Sequence, residues 1–176
     1  TGKLGQHLID IATDLVGRFH GGHAQVSVLG STLFGGVSGS AVADATALGG
    51  VLVPWQIKMG YPRAFCGATI AAASTIDILI PPSIPLILYS LVSGEPIGAL
   101  FMAGVLPGIL IAASFITVCY LSARLRNFPH RPIPFDWDAF WPLFWKALPA
   151  LMLPLLILVL LRFGIATPTE VSVLAT

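Results

Sequence analysis

Two short stretches carry most of the oxygen that an otherwise apolar chain could offer a ligand. One is Ser38-Gly39-Ser40; the other holds Ser74, Thr75, Asp77, Pro81, Pro82 and Ser83. Hydroxyls and backbone carbonyls freed at a helix break suit a hard alkali cation such as Na⁺, while the N-termini of the half-helices beyond each break attract anions. Small residues of this kind also allow close helix packing, but two breaks in consecutive apolar segments favour a binding role. Asp44 and Asp77 are the only acids inside those segments, and ionisable groups at membrane depth are functional candidates by default. Asp44 follows Ser40 by four residues, one helical turn on, where it would cap the backbone or bias a site toward cations. Asp77 precedes the Pro81-Pro82 pair by four residues and offers a cation ligand or a titratable group. Read as a pair, the two acids also suggest an intramembrane aspartyl protease dyad. Their settings, Val-Ala-Asp-Ala and Thr-Ile-Asp-Ile, lack the Gly-x-Gly-Asp pattern of that chemistry. His20 and His23 flank Gly21-Gly22 and read as interfacial loop histidines, and Cys66 and Cys119 as buried small hydrophobes.

The elements that must position these residues follow from composition and charge. The chain has 176 residues, 56% hydrophobic and 10% charged, against about 25% charged in a soluble domain. A net charge of +1 supplies no basic stripe for nucleic acid, and the hydrophobicity excludes disorder. Lipid is the expected solvent, yet 18 Gly and 14 Pro exceed what plain spanning helices need. Interrupted helices are therefore expected, in an all-α integral membrane fold.

Residues 1–20 predict an amphipathic interfacial helix, with Leu4, Leu8, Ile11, Leu15 and Phe19 at helical spacing. Residues 24–57 would form about 50 Å of straight helix, against about 30 Å of hydrocarbon, so two half-length helices in a re-entrant hairpin fit better. Residues 62–92 predict a helix broken at Pro81-Pro82, and residues 97–126 a transmembrane helix. Residues 134–147, with Trp137, Trp141 and Trp145 on one face, read as a second interfacial helix; core packing is the alternative for that stripe. Residues 148–165 predict another span. If the hairpin enters and leaves on one side, Lys3, Arg18, Lys58, Arg63, Arg124, Arg126, Arg131 and Lys146 share a face, which the positive-inside rule makes cytoplasmic.

Several motifs then occur together: Gly21-Gly22-His23-Ala24, Gly36-Val37-Ser38-Gly39-Ser40-Ala41-Val42-Ala43-Asp44-Ala45, Gly60-Tyr61, Ile80-Pro81-Pro82-Ser83-Ile84, Gly104-Val105-Leu106-Pro107-Gly108 and Thr167-Pro168-Thr169-Glu170. In this order they closely resemble the large membrane subunit of TRAP transporters, the tripartite ATP-independent periplasmic transporters (a DctM-like permease).

The resemblance implies an elevator-type secondary transporter, not an enzyme, in the bacterial inner membrane. It would import organic acids of the C4-dicarboxylate or sialic acid type on a Na⁺ gradient, with Na⁺ as coupling ion and no organic cofactor. Implied partners are a small membrane subunit, a soluble periplasmic substrate-binding protein and the remainder of the large subunit. Residues 21–95 would belong to the moving transport domain. Ser38, Gly39 and Ser40 would form the hairpin tip, and Pro81, Pro82 and Ser83 the unwound link, together making one Na⁺ site and one wall of the substrate site. Residues 1–20 and 134–147 would be arm helices, and residues 167–176 the start of a second inverted repeat. The second hairpin and second Na⁺ site lie outside this sequence, so a fragment is expected and a noncatalytic scaffold is the alternative. Asp77 stands where many members would carry a small residue.

Overall fold

The computed structural model describes residues 2–128 and 137–162, all helical apart from turns and short links. Helix α1, Gly2–Val16, buries Leu8, Ile11 and Ala12 and leaves Leu15 exposed. Its apolar stripe therefore divides between a protein-facing part and an outward part. It packs on α2 and on α7, Trp137–Arg162.

Helix α2, Gly22–Ser38, carries no Asp, Glu, Lys or Arg, and Ala24, Val26, Ser27, Val28 and Ser31 are all enclosed; a helix without a charged face belongs in the interior. It starts after Gly21 (φ 74°), where a Cβ would lie 2.7 Å from Ala123 Cβ and 2.8 Å from the Cys119 carbonyl oxygen. It ends at Gly39 (φ 59°), whose N–H donates to the Gly35 carbonyl at 3.1 Å, a left-handed glycine cap. Helix α3, Ala41–Lys58, then runs back alongside. At the far end Gln56 Nε2 donates to the His23 carbonyl at 2.7 Å and to Ser27 Oγ at 2.5 Å, closing a hairpin. His23 is thus a buried residue of α2, with Trp55 and Tyr61 at 4.7 and 5.8 Å between ring centroids, and not the loop histidine expected. Tyr61, in the turn after α3, is held by Phe65 and Phe128. Burial, helped by the nearby Cys119 and Cys66 thiols, pushes its hydroxyl up to about 12, so it stays neutral.

Helix α4, Arg63–Ala73, passes into a 3₁₀ turn, Ser74–Ile78; a non-helical link with a cis Pro81–Pro82 bond follows, and α5, Ile84–Ser93, completes the broken element. Helix α6, Ile97–Leu125, has 29 residues and runs through Pro107. Among the described residues it is the one helix long and apolar enough to cross a membrane alone, and only 22% of its most apolar window is buried. Most of its surface therefore faces outward.

The hairpin and the break meet beside α6. A Cβ on Gly104 would lie 2.5 Å from the Leu79 carbonyl oxygen, and one on Gly108 3.1 Å from an Ile80 side-chain carbon. Gly104 and Gly108 stand about 10 and 16 Å along α6 from its start, at 1.5 Å per residue. The broken element therefore meets α6 part-way along its length. The hairpin arms, 17 and 18 residues, are each about half of the 24–57 stretch, as two half-length helices would be, and run slightly past it at both ends.

The last two expected elements merge. In place of an interfacial helix ending near Lys146 and a separate span, α7 continues unbroken for 26 residues. Lys146 alone marked that boundary, but the surrounding Trp145, Ala147 and Leu148 all continue a helix, and prolines are tolerated in membrane helices. Trp141 and Trp145 are exposed, so this part of the aromatic stripe faces outward. Residues 129–136 and 163–176, with Arg131 and the expected start of a second repeat, lie outside the described residues.

Candidate functional site

The expected site residues separate into two adjoining groups. At the hairpin tip, Gly39 lies against the Pro82 carbonyl so closely that no Cβ fits, and Ile84 N–H donates to the Gly39 carbonyl at 3.3 Å. Ser40 caps α3, its Oγ accepting from Ala43 N–H at 3.4 Å, and Ser38 Oγ accepts from Ser40 N–H at 3.4 Å. Ser83 caps α5 in the same way, accepting from Leu86 N–H at 3.4 Å while donating to the Ile78 carbonyl at 2.8 Å. The N-termini of α3 and α5 thus converge, each with the partial positive charge of a helix start. The ends of α2 and of the 3₁₀ turn bring carbonyl-rich backbone to the same place.

Behind the tip, Asp44 and Asp77 come together. Both are fully buried, and none of their four carboxylate oxygens has a hydrogen-bond partner among the described residues. The Asp77 carboxyl and the oxygens of Ser31 and Ser74 face Asp44. Among the described residues Ser31 Oγ is itself buried without a hydrogen-bond partner, whereas the Ser74 hydroxyl donates to the Ile70 carbonyl at 2.9 Å. Thr75 joins neither group: it is exposed, and its hydroxyl donates to the Ala72 carbonyl at 2.7 Å.

Two residues of this second group, Ser31 and Gly35, went unrecognised in the sequence. Gly35 lacks a Cβ where Asp77 Oδ1 would be 2.6 Å away. Ser27, Ser31 and Gly35 recur every four residues, so one small, polar face of α2 was the available signal. A protease dyad would also pair two acids, but here both are fully buried.

The profile of the family described as "Tripartite ATP-independent periplasmic transporter, DctM component" matches residues 1–176. An uncharacterized protein of Sinorhizobium fredii is 52% identical over 174 residues, covering 99% of this chain and 42% of that protein. A C4-dicarboxylate TRAP transporter large permease of Vibrio cholerae is 35% identical, covering 99% of this chain and 38% of its own length. A sialic acid TRAP transporter permease of Haemophilus influenzae is also 35% identical, with 99% and 28% covered. The chain therefore spans about two fifths or less of the length of these relatives. A profile match along its whole length, on a helical scaffold with two broken elements docked at their breaks, makes the chain a member of the DctM family of TRAP transporter large permeases, membrane transport proteins and not enzymes.

Proposed function

We propose that the chain forms one hairpin half of an elevator-type, Na⁺-coupled TRAP permease in the bacterial inner membrane. The observation that carries this reading is the docking of Gly39 on the Pro82–Ile84 backbone, which sets two helix N-termini and two carbonyl-rich helix ends around one point. Carbonyls and hydroxyls from Ser38, Gly39, Ser40 and the Pro81–Ser83 link take the cation, and the α3 and α5 N-termini face the carboxylate of an organic acid. Na⁺ binding orders the tip against the link, and the ordered tip then accepts substrate. Alternating access follows as rigid movement of this unit against a static scaffold, to which α1 and the start of α7 would join it as arm helices.

The hairpin is read as re-entrant because its tip docks on a broken element that meets α6 part-way along its length. Lys58 and Arg63 lie beside the turn at its base, and Arg124 in the last turn of α6 and Arg126 at its C-cap lie at the end that packs on Gly21. That end is read as cytoplasmic. Relatives named for C4-dicarboxylate and sialic acid transport support an organic acid as cargo. A periplasmic binding protein would deliver it, and a small membrane subunit would enlarge the scaffold.

The test uses the complete complex in proteoliposomes with its binding protein and a panel of acids. Ser40→Ala and Ser83→Ala are expected to raise the Na⁺ concentration for half-maximal uptake more than they lower protein abundance. Uptake indifferent to a Na⁺ gradient refutes the coupling. Transport that survives disruption of Ser38–Ser40 together with Ser83 would favour a scaffold role for this segment.

A further inference from the structure

We propose that Ser31, Asp44, Ser74 and Asp77 form a second cation position behind the hairpin tip, so that this segment holds two Na⁺ ions, one at the neutral tip and one between the carboxylates. The proposal rests on the cation-coupled reading above and assigns to the buried acids a site of their own.

Two facts point to a ligand there. Four carboxylate oxygens and Ser31 Oγ are buried without hydrogen-bond partners among the described residues, which a folded chain tolerates only at a substantial desolvation cost. Ser31 faces Asp44 from α2, opposite the 3₁₀ turn that carries Ser74 and Asp77. Around Asp44 these four side chains bring together six oxygens. That is the donor set of a hard cation, since carboxylate and other oxygens suit such ions better than soft metals.

Charge decides the number of ions. Ionised, the pair carries two negative charges, and among the described residues no Lys or Arg contributes to its surroundings. One Na⁺ between the carboxylates leaves one negative charge. The tip offers only neutral oxygens, and Asp44 N–H bonds to the Ser40 carbonyl at 3.0 Å, one turn or about 6 Å along α3. A second Na⁺ at the tip completes neutrality, and the acids behind it supply the attraction that neutral ligands lack.

The test counts bound radiolabelled Na⁺ on the purified full-length permease complex by equilibrium dialysis. Asp77→Asn is expected to bind one ion fewer per complex than the wild type at saturation. Ser31→Ala is expected to keep the count but bind one ion roughly fivefold more weakly, the loss of about one hydrogen-bond-strength contact. Ser40→Ala is expected to weaken the other ion. An unchanged count in Asp77→Asn overturns the proposal. If that variant does not fold, unchanged affinity in Ser31→Ala overturns it instead. Radiolabelled Ca²⁺ binding that Asp77→Asn abolishes, with Na⁺ binding intact, also overturns it. A wild type that binds no Na⁺ would refute the coupled reading itself, a different result from a wild type that binds Na⁺ as Asp77→Asn does.

Discussion

Gly35 and Asp77 share one volume: a Cβ on Gly35 would lie 2.6 Å from Asp77 Oδ1, 3.0 Å from its Cγ and 3.1 Å from its Cα. The acid on the 3₁₀ turn fits because α2 offers bare backbone opposite it. Since the Cα as well as the carboxylate is close, a rotamer change alone cannot clear the space, and the two elements would have to separate.

Gly35→Ala is therefore expected to destabilise the purified complex by about 1–3 kcal/mol, as overpacking of a tight core does. Asp77→Gly in the same chain would remove the carboxylate and recover part of that loss, leaving the contact with the Asp77 Cα. Thermal unfolding of the four members of the cycle measures the coupling. Additive effects would mean that the two residues do not meet.

Gly39 carries two separable requirements. Its φ of 59° is left-handed, which Asn tolerates better than Ala, but any Cβ also meets the Pro82 carbonyl. Both Gly39→Ala and Gly39→Asn are thus expected to reduce uptake sharply in proteoliposomes. Near-normal transport in Gly39→Asn would mean that backbone conformation, and not the docking of tip on link, is what glycine provides.

The base of the hairpin has a different chemistry from its tip. Gln56 Nε2 ties the His23 carbonyl and Ser27 Oγ across the two arms, so Gln56→Leu leaves buried polar groups unpaired. A loss of about 1–3 kcal/mol is expected, read in thermal unfolding, with the Na⁺ dependence of uptake unchanged in the protein that survives. A shifted Na⁺ dependence would show that hairpin base and tip are coupled.

Much of this arrangement was legible in the residues, for reasons that also explain the rest. Ser40 and Ser83 announce helix starts because hydroxyl caps satisfy free N–H groups, and Pro81-Pro82 announces a break because neither ring supports a helical hydrogen bond. The Asp44–Asp77 pairing was raised only through a protease reading, because sequence separation does not say which faces of α3 and the 3₁₀ turn meet. Ser31 and Gly35 were hidden for the same reason: an apolar helix marks its ligand face only by small residues, which packing also selects. The division at Lys146 failed because one charge was allowed to end a helix that its neighbours sustain.

Glycines elsewhere separate close approach from mere tolerance. On α6 a Cβ at Gly104 would lie 2.5 Å from the Leu79 carbonyl oxygen, a backbone atom that cannot swing aside, whereas at Gly67 on α4 nothing lies within 4 Å. Gly67 is exposed and inside the helix, so alanine there removes the conformational cost of glycine without adding a clash. Gly67→Ala is expected to stabilise the complex by about 0.5–1 kcal/mol. Gly104→Ala is expected to destabilise it by about 1–3 kcal/mol through the displaced link, and to lower uptake because the link carries Pro81 to Ser83. Melting temperature and uptake, measured on the two variants side by side, check the contrast. Equal effects would mean that α6 does not hold the broken element at its break.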